Sequence, residues 1–167
     1  MHAISSFRFA LTSLSIALIM QAAPALAEAQ KIGVVGALSG SVSATGEDGA
    51  TRALNTGDSV FLNDAISSGP ASKAQIMFLD KSSLMVNPDS KVMVDKFIFN
   101  PATSTGDLTI QNTKGALRFI GGALSKEKPV TIKTPVATIG IRGGIADTHV
   151  ATNGATDAIF VYGEEMT

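Results

Sequence analysis

Apolar side chains recur at every second position in many short segments of this chain, and turn-forming residues end each run. In the run 73–78, Ala74, Ile76 and Phe78 alternate with Lys73 and Gln75. A period of two places successive side chains on opposite faces of a strand, one dry and one wet. Strands at such short intervals, separated by Gly, Pro, Asn and Asp, predict an all-β fold of the sandwich, roll or solenoid-like type.

The amino-terminal segment differs from the rest and is typical of an export signal. Arg8 supplies a positive charge, an apolar run follows over 9–20, and the small-residue sequence 25–27 reads Ala-Leu-Ala. These features predict a signal peptide over 1–27, cleaved after Ala27, and a single domain over 28–167. The alternative is an uncleaved membrane anchor, but a span needs about 20 apolar residues. The prediction therefore limits membrane contact to the export step.

Composition narrows the chemistry that the exported part can perform. The chain has no Cys and two His, and its net charge is -1. Disulfides, thiolate metal sites and Cys nucleophiles are thereby excluded. The charge gives no reason to expect nucleic-acid binding, and 5% aromatic residues are too few for a base-stacking platform. We expect no metal, no cofactor and no catalytic residue.

Two local signals predict particular turns. The segment 79–84 reads as a tight turn between two strands, in which Asp80 can accept hydrogen bonds from the following amides. Asn153 and Gly154 lie between Val150 and Ile159 and both tolerate positive φ. They predict a β-hairpin.

Five segments follow one another in a distinctive order, and they include the Thr-Pro-Val-Ala-Thr-Ile-Gly-Ile-Arg-Gly-Gly run. They cover 40–42, 54–69, 74–84, 114–119 and 134–144. Together they resemble the FecR domain, a periplasmic all-β module of bacterial envelope proteins. The resemblance covers nearly all of 28–167 and implies the same β fold here.

This sequence departs from the pattern of that family at several points. Lys81 stands where the family usually has glycine, and Gly144 where it usually has threonine. The chain ends at 160–167, where the family usually begins another strand, so we expect either a truncated gene product or a short variant whose last strand is missing. Signalling members carry a cytoplasmic anti-sigma segment and a membrane span, whereas this chain is predicted to carry a signal peptide instead.

The candidate site residues lie in and after the run 134–144. Gly143 and Gly144 could form an anion-binding nest with Arg142 as its clamp. Alternatively these residues form a corner between strands, with Arg142 bonding carbonyl oxygens or pairing with an acid such as Asp147. Asp147 and His149 lie two apart on a predicted strand and share a face. They could begin a metal site or orient a base, or they could be a solvated strand face. We take these five residues as candidates for binding a ligand or partner.

These observations favour a non-catalytic interaction or sensory module of the FecR type, in the periplasm or on the surface of a Gram-negative bacterium. Its mechanism would be to present loops or an open sheet edge to a protein. The resemblance implies an envelope protein as partner, either the signalling domain of a transporter or an assembly partner, and an open edge also allows self-association. The alternative is a binder of a glycan or a small anionic ligand, and a hydrolase is the third hypothesis.

Overall fold

The computed structural model describes residues 29–167, and the predicted signal peptide lies outside them. Within these residues, fourteen strands and one short helix form the fold. The elements are β1 Lys31–Ser39, β2 Val42–Thr45, β3 Thr51–Ala53, β4 Ser59–Phe61, β5 Ala65–Ser68, β6 Lys73–Phe78, β7 Ser83–Val86, β8 Lys91–Asn100, β9 Thr105–Ile120, α1 Ala123–Glu127, β10 Val130–Lys133, β11 Thr138–Arg142, β12 Ile145–Val150, β13 Thr156–Tyr162 and β14 Glu165–Met166. The prediction of an all-β fold is confirmed. None of the helices within 29–167 has the length and apolarity that a membrane span requires.

The strands pair into two sheets. The first sheet has the order β4-β1-β6-β7-β9-β12-β13 and is antiparallel throughout. The second sheet has the order β3-β2-β5-β8-β9-β10-β11-β14, and its β9–β10 pair is parallel. Strand β9 belongs to both sheets, so the whole is one continuous, strongly curled sheet.

Strand β9 can serve both sheets because it turns a corner near its middle. Its first part pairs with β8 and β10, and its second part, from Gly115 onward, pairs with β7 and β12. Gly115 has φ +75°, a left-handed backbone conformation that glycine adopts without strain. This one residue therefore redirects a 16-residue strand from one layer into the other.

The two layers enclose a single core. Apolar residues from both sheets form one contiguous buried cluster. Phe78 of the first sheet stacks on Phe97 of the second, with ring centroids 5.9 Å apart. The inward positions are the alternate residues that the sequence pattern had selected: Ala74, Ile76 and Phe78 are all buried. Burial of apolar surface from both sheets is the main force that holds the layers together.

Both predicted turns are present. The 79–84 segment joins β6 to β7, and the Asp80 carboxylate accepts hydrogen bonds from the Ser82 amide and hydroxyl. Strands β12 and β13 form a hairpin in which Gly154 has φ +83°. The helix α1 was not predicted, since its five residues are too few to produce a helical pattern.

Candidate partner-binding face

The outward face of the first sheet carries an apolar row that crosses six of its strands. Residues that pair across adjacent strands share a face, so the register defines the row. It consists of Val34, Met77, Ser83, Ile120, Ile145 and Tyr162. We call this set, in which Ser83 is the single polar member, the apolar row. It ends at β13, where Tyr162 is 75% exposed.

A second row on the same face contains an ion pair. Asp147 of β12 lies opposite Arg118 of β9 and opposite Ile159 of β13. The Arg118 Nε and Nη2 atoms each donate to one Asp147 carboxylate oxygen at 2.7 Å, a bidentate arrangement. The hydrogen bonds to Asp147 raise the pKa of Arg118 above its ordinary value. The Asp147 carboxylate is therefore already paired with a cation, Arg118.

His149 occupies the next row on this face. It lies opposite Asp157 of β13, and its Nδ1 atom is 3.9 Å from the Asp157 carboxylate, too far for a hydrogen bond. Together with Arg118, Asp147 and Ile159 these residues line a shallow groove of about 390 Å³. Within 29–167 no three acidic or imidazole side chains come close enough to hold a metal ion.

Arg142 lies apart from this groove, at the end of β11 in the second sheet. Its Nε atom is 3.3 Å from a carboxylate oxygen of Glu164. Arg142 thus pairs with Glu164, and Asp147, which the sequence offered as its acid partner, pairs with Arg118. The difference arises because the β11–β12 turn brings the chain from one sheet into the other.

Gly143 and Gly144 lie in a crowded turn between β11 and β12. The Gly143 amide donates to the Ser125 carbonyl at 2.7 Å, so it is not free for an anion. A Cβ atom on Gly144 would lie 2.4 Å from the Tyr162 carbonyl oxygen and 2.8 Å from the Phe160 ring. A threonine, the usual residue of the family pattern, would therefore not fit without a shift of β13. The corner geometry holds the last residues of β13 close against Gly144.

Strand β13 forms an open end of the first sheet. Among the described residues it pairs with β12 alone, so its other edge has no strand beside it. Its side chains Ile159, Val161 and Tyr162 are all exposed. The edge therefore combines free backbone groups with apolar side chains.

Three residues of this face were missed at the sequence level: Arg118, Ile159 and Tyr162. Arg118 stood out as the polar residue between Leu117 and Phe119, but nothing local related it to Asp147, 29 residues away. Ile159 and Tyr162 belong to an alternating run that also fits a buried strand. Their exposure depends on β13 being at the end of a sheet.

The two sheets and the strand β9 that they share define an all-β module. The sequence model of the family described as FecR protein matches residues 64–163, and the chain belongs to the FecR family. Membership in this family supports an envelope or sensory role.

A solved structure described as "Cell surface anchoring domain" is 29% identical to the chain, with a TM-score of 0.36. The match covers 37% of this chain and 82% of that one. No match is found among curated proteins.

Proposed function

We propose that this chain is a non-catalytic module of the bacterial envelope that binds a protein partner by adding a strand from the partner to β13. The observation that carries the proposal is the seven-residue open edge of the first sheet. An unpaired edge presents a row of amides and carbonyls that another extended chain can pair with. Membership in the FecR family supports the envelope setting.

The hairpin register identifies the backbone groups at this edge. The Ala151 amide donates to the Ala155 carbonyl, which makes this residue pair hydrogen-bonded. Antiparallel pairs alternate between bonded and non-bonded positions. The backbone groups of Thr156, Ala158 and Phe160 therefore point away from β12, toward the open edge. They offer three amides and three carbonyls to an incoming strand.

The composition of β13 also favours pairing. Exposed edges in natural proteins usually carry lysine, proline or several charges that block association. Asp157 is the single charged residue in β13, and Ile159 and Tyr162 are exposed beside it. A partner strand would place its own apolar side chains next to Tyr162 and so lengthen the apolar row.

The candidate site residues take different parts in this proposal. Asp147 and His149 lie one strand inward on the same face, within reach of long side chains from an added strand. Arg142, Gly143 and Gly144 hold the corner that positions the end of β13. Two kinds of partner fit an exported FecR-family protein: the signalling domain of a transporter or an assembly partner. A second copy of the chain could use the same edge.

Site-specific photo-crosslinking in the native host tests the proposal. A benzophenone amino acid replaces either Ile159 on the open edge or Ile98 on the opposite sheet, two exposed isoleucines of similar accessibility. We expect a discrete cross-linked protein species from position 159 and not from position 98. Equal cross-linking at both positions, or none at 159, would contradict the proposal.

Two variants test whether the contact depends on the strand edge. Ala158→Pro removes an outward amide, and Ile159→Lys adds a charge of the kind that blocks edges. In the Ile159→Lys variant the benzophenone amino acid replaces Val161 instead of residue 159. Either change should abolish the cross-link, whereas Ile98→Lys should not. Circular dichroism establishes that each variant folds, and Ile159→Lys carries the test if the proline variant does not fold.

A further inference from the structure

The outward face of the second sheet is basic, although the chain as a whole carries a net charge of -1. Around β8, β9 and β10, five lysines lie on or at the rim of this face, against two aspartates: Lys91, Lys96, Lys114, Lys128 and Lys133 against Asp95 and Asp107. At the β11–β14 end, Arg142 lies with Glu164 and Glu165. Both aspartates already pair with lysines of the same face. The part of the face around β8, β9 and β10 therefore keeps an excess of three positive charges.

The excess is concentrated in one row. Lys91 of β8 pairs with Lys114 of β9 at a β-bulge, and both side chains are exposed. Like charges in this position repel each other. In the part of the chain that the structure describes, neither lysine forms an ion pair. The pair is thus an unneutralised double charge that an external anion would neutralise.

Hydroxyl groups continue the same row across the next two strands. Ser67 of β5 lies opposite Lys91, and Ser43 of β2 lies opposite Ser67. Neighbouring strands are about 4.8 Å apart, so the four side chains span roughly 14 Å in a line. We call this set, Lys114, Lys91, Ser67 and Ser43, the lysine–serine row. It presents charge at one end and hydrogen-bonding hydroxyls at the other.

The rest of the face is polar. The two adjacent rows contain Thr109, Gln111, Thr131 and Lys133. The large apolar residues here are Met93 and Ile98, and Met93 is half-buried. A face that inserts into a lipid bilayer needs a substantial apolar surface. Charges mixed with hydroxyl and amide groups instead suit a hydrated anionic polymer.

We propose that this face binds an acidic polysaccharide. The carboxylate or phosphate groups of the polymer lie at Lys91 and Lys114, and its sugar hydroxyls exchange hydrogen bonds with Ser67 and Ser43. The binding is electrostatic, which explains how it can operate without aromatic platforms. The row lies on the second sheet, whereas β13 belongs to the first.

Titration calorimetry of the purified full chain against polygalacturonate tests this inference, with dextran as the uncharged polymer. We expect heat of binding with polygalacturonate that weakens as salt is added, and none with dextran. The double variant Lys91→Gln/Lys114→Gln should weaken binding by about tenfold or more. The matched control is Lys31→Gln/Lys73→Gln, which removes the same charge from β1 and β6 of the first sheet.

Three results would overturn the inference. They are an absence of binding to polygalacturonate, equal weakening by the two double variants, and preferential binding to phosphatidylglycerol vesicles. None of these results bears on strand addition at β13, because the lysine–serine row lies on the other sheet. Failure of this inference and failure of the proposed function can therefore be told apart.

Discussion

At the scale of single residues, Asp80 shows how a carboxylate that is fully buried can serve structure. Its side chain accepts hydrogen bonds from the Ser82 amide and from the Leu124 amide, 44 residues away. Its carbonyl oxygen accepts one from the Ala123 amide. Buried charged groups are tolerated when they are hydrogen-bonded in this way. Asp80 thus joins the β6–β7 turn to the start of α1.

The residue after Asp80 is strained. Lys81 has φ +68°, in the left-handed region where a Cβ atom costs about 1–2 kcal/mol. Lys81→Gly relieves this strain. Glycine loses more conformational freedom on folding than lysine, however, and this lowers stability by about 0.5–1 kcal/mol. We expect the free energy of unfolding to rise by about 0.5–1 kcal/mol, measured by urea denaturation.

Lys73 provides the control for this substitution. It is an exposed lysine in strand β6 without a positive φ, so Lys73→Gly should lower the free energy of unfolding. If Lys81→Gly were destabilising to the same extent, strain at Lys81 would not be the controlling factor.

At the scale of elements, two corners of the fold are built in the same way. The sequences Pro70-Ala71-Ser72-Lys73 and Pro88-Asp89-Ser90-Lys91 both connect one sheet to the other. In each, the residue after proline has φ +54°. The serine hydroxyl accepts an amide hydrogen bond from across the corner, from Ser41 between β1 and β2 in one case and from Ala116 of β9 in the other.

A glycine with positive φ lies against the serine in both corners. A Cβ atom on Gly40 would be 2.3 Å from the Ser72 hydroxyl, and one on Gly115 would be 2.3 Å from the Ser90 hydroxyl. The repeated Pro-x-Ser-Lys sequence was available as a signal, but two copies of four residues do not stand out without the fold. The close contact between each serine and its glycine therefore determines how sharply the chain turns at the corner.

Gly115→Ala should be strongly destabilising. The new methyl group would lie 2.3 Å from the Ser90 hydroxyl and 2.6 Å from the Ser90 Cα atom. The strain of φ +75° adds to this crowding. We expect a loss of at least about 3 kcal/mol, because overpacking and backbone strain add. The midpoint of urea denaturation measures the loss.

Gly57→Ala isolates the backbone contribution. Gly57 has φ +94°, but a Cβ atom there would have nothing within 4 Å. Its substitution should cost only the strain, about 1–2 kcal/mol. Similar losses at the two glycines would show that crowding by Ser90 contributes little.

At the scale of the whole molecule, the two outward faces differ although they cover one core. The first sheet presents the apolar row and the open edge of β13, and the second presents lysines and hydroxyls. Because β9 belongs to both sheets, the two faces are held in a fixed relation by one continuous strand. The two proposals accordingly concern different sheets: strand addition at β13 of the first and polysaccharide binding on the second.

The charge of the second face makes a small contribution to stability that depends on pH. Asp107 accepts a hydrogen bond from Lys128 and another from Lys96, and these lower its pKa below the ordinary value of 3.8. The contribution is therefore complete above about pH 5 and is lost as the pH falls through 3.8 and below. We expect Asp107→Asn to cost under about 1 kcal/mol near pH 7, since the lysines are exposed.

Urea denaturation of both proteins at about pH 7 and about pH 3 measures this dependence. The difference between Asp107→Asn and the parent chain should shrink at the lower pH. Asp89→Asn, at an exposed turn position, should show no such change. A difference that grows as the pH falls would mean that Asp107 is not stabilised as an ion by its lysines.

The candidate site was only partly predictable. Asp147 and His149 were expected to share a strand face, and they do so, because alternation is a local property of strands. The partner of Asp147 could not be predicted, since Arg118 reaches it through the pairing of β9 with β12. The predicted binding role of the five site residues stays a prediction, as do the signal peptide and the domain limits.

The sequence by itself predicted inward side chains such as Ala74, Ile76 and Phe78, because a strand's two-residue period is a local property. It also determined the β6–β7 turn through Asp80 and the β12–β13 hairpin through Gly154. Only the tertiary structure decided that β9 joins two sheets, that Lys91 faces Lys114, and that β13 lies at an open edge. Those features are pairings between distant segments, and their register depends on how the whole core packs.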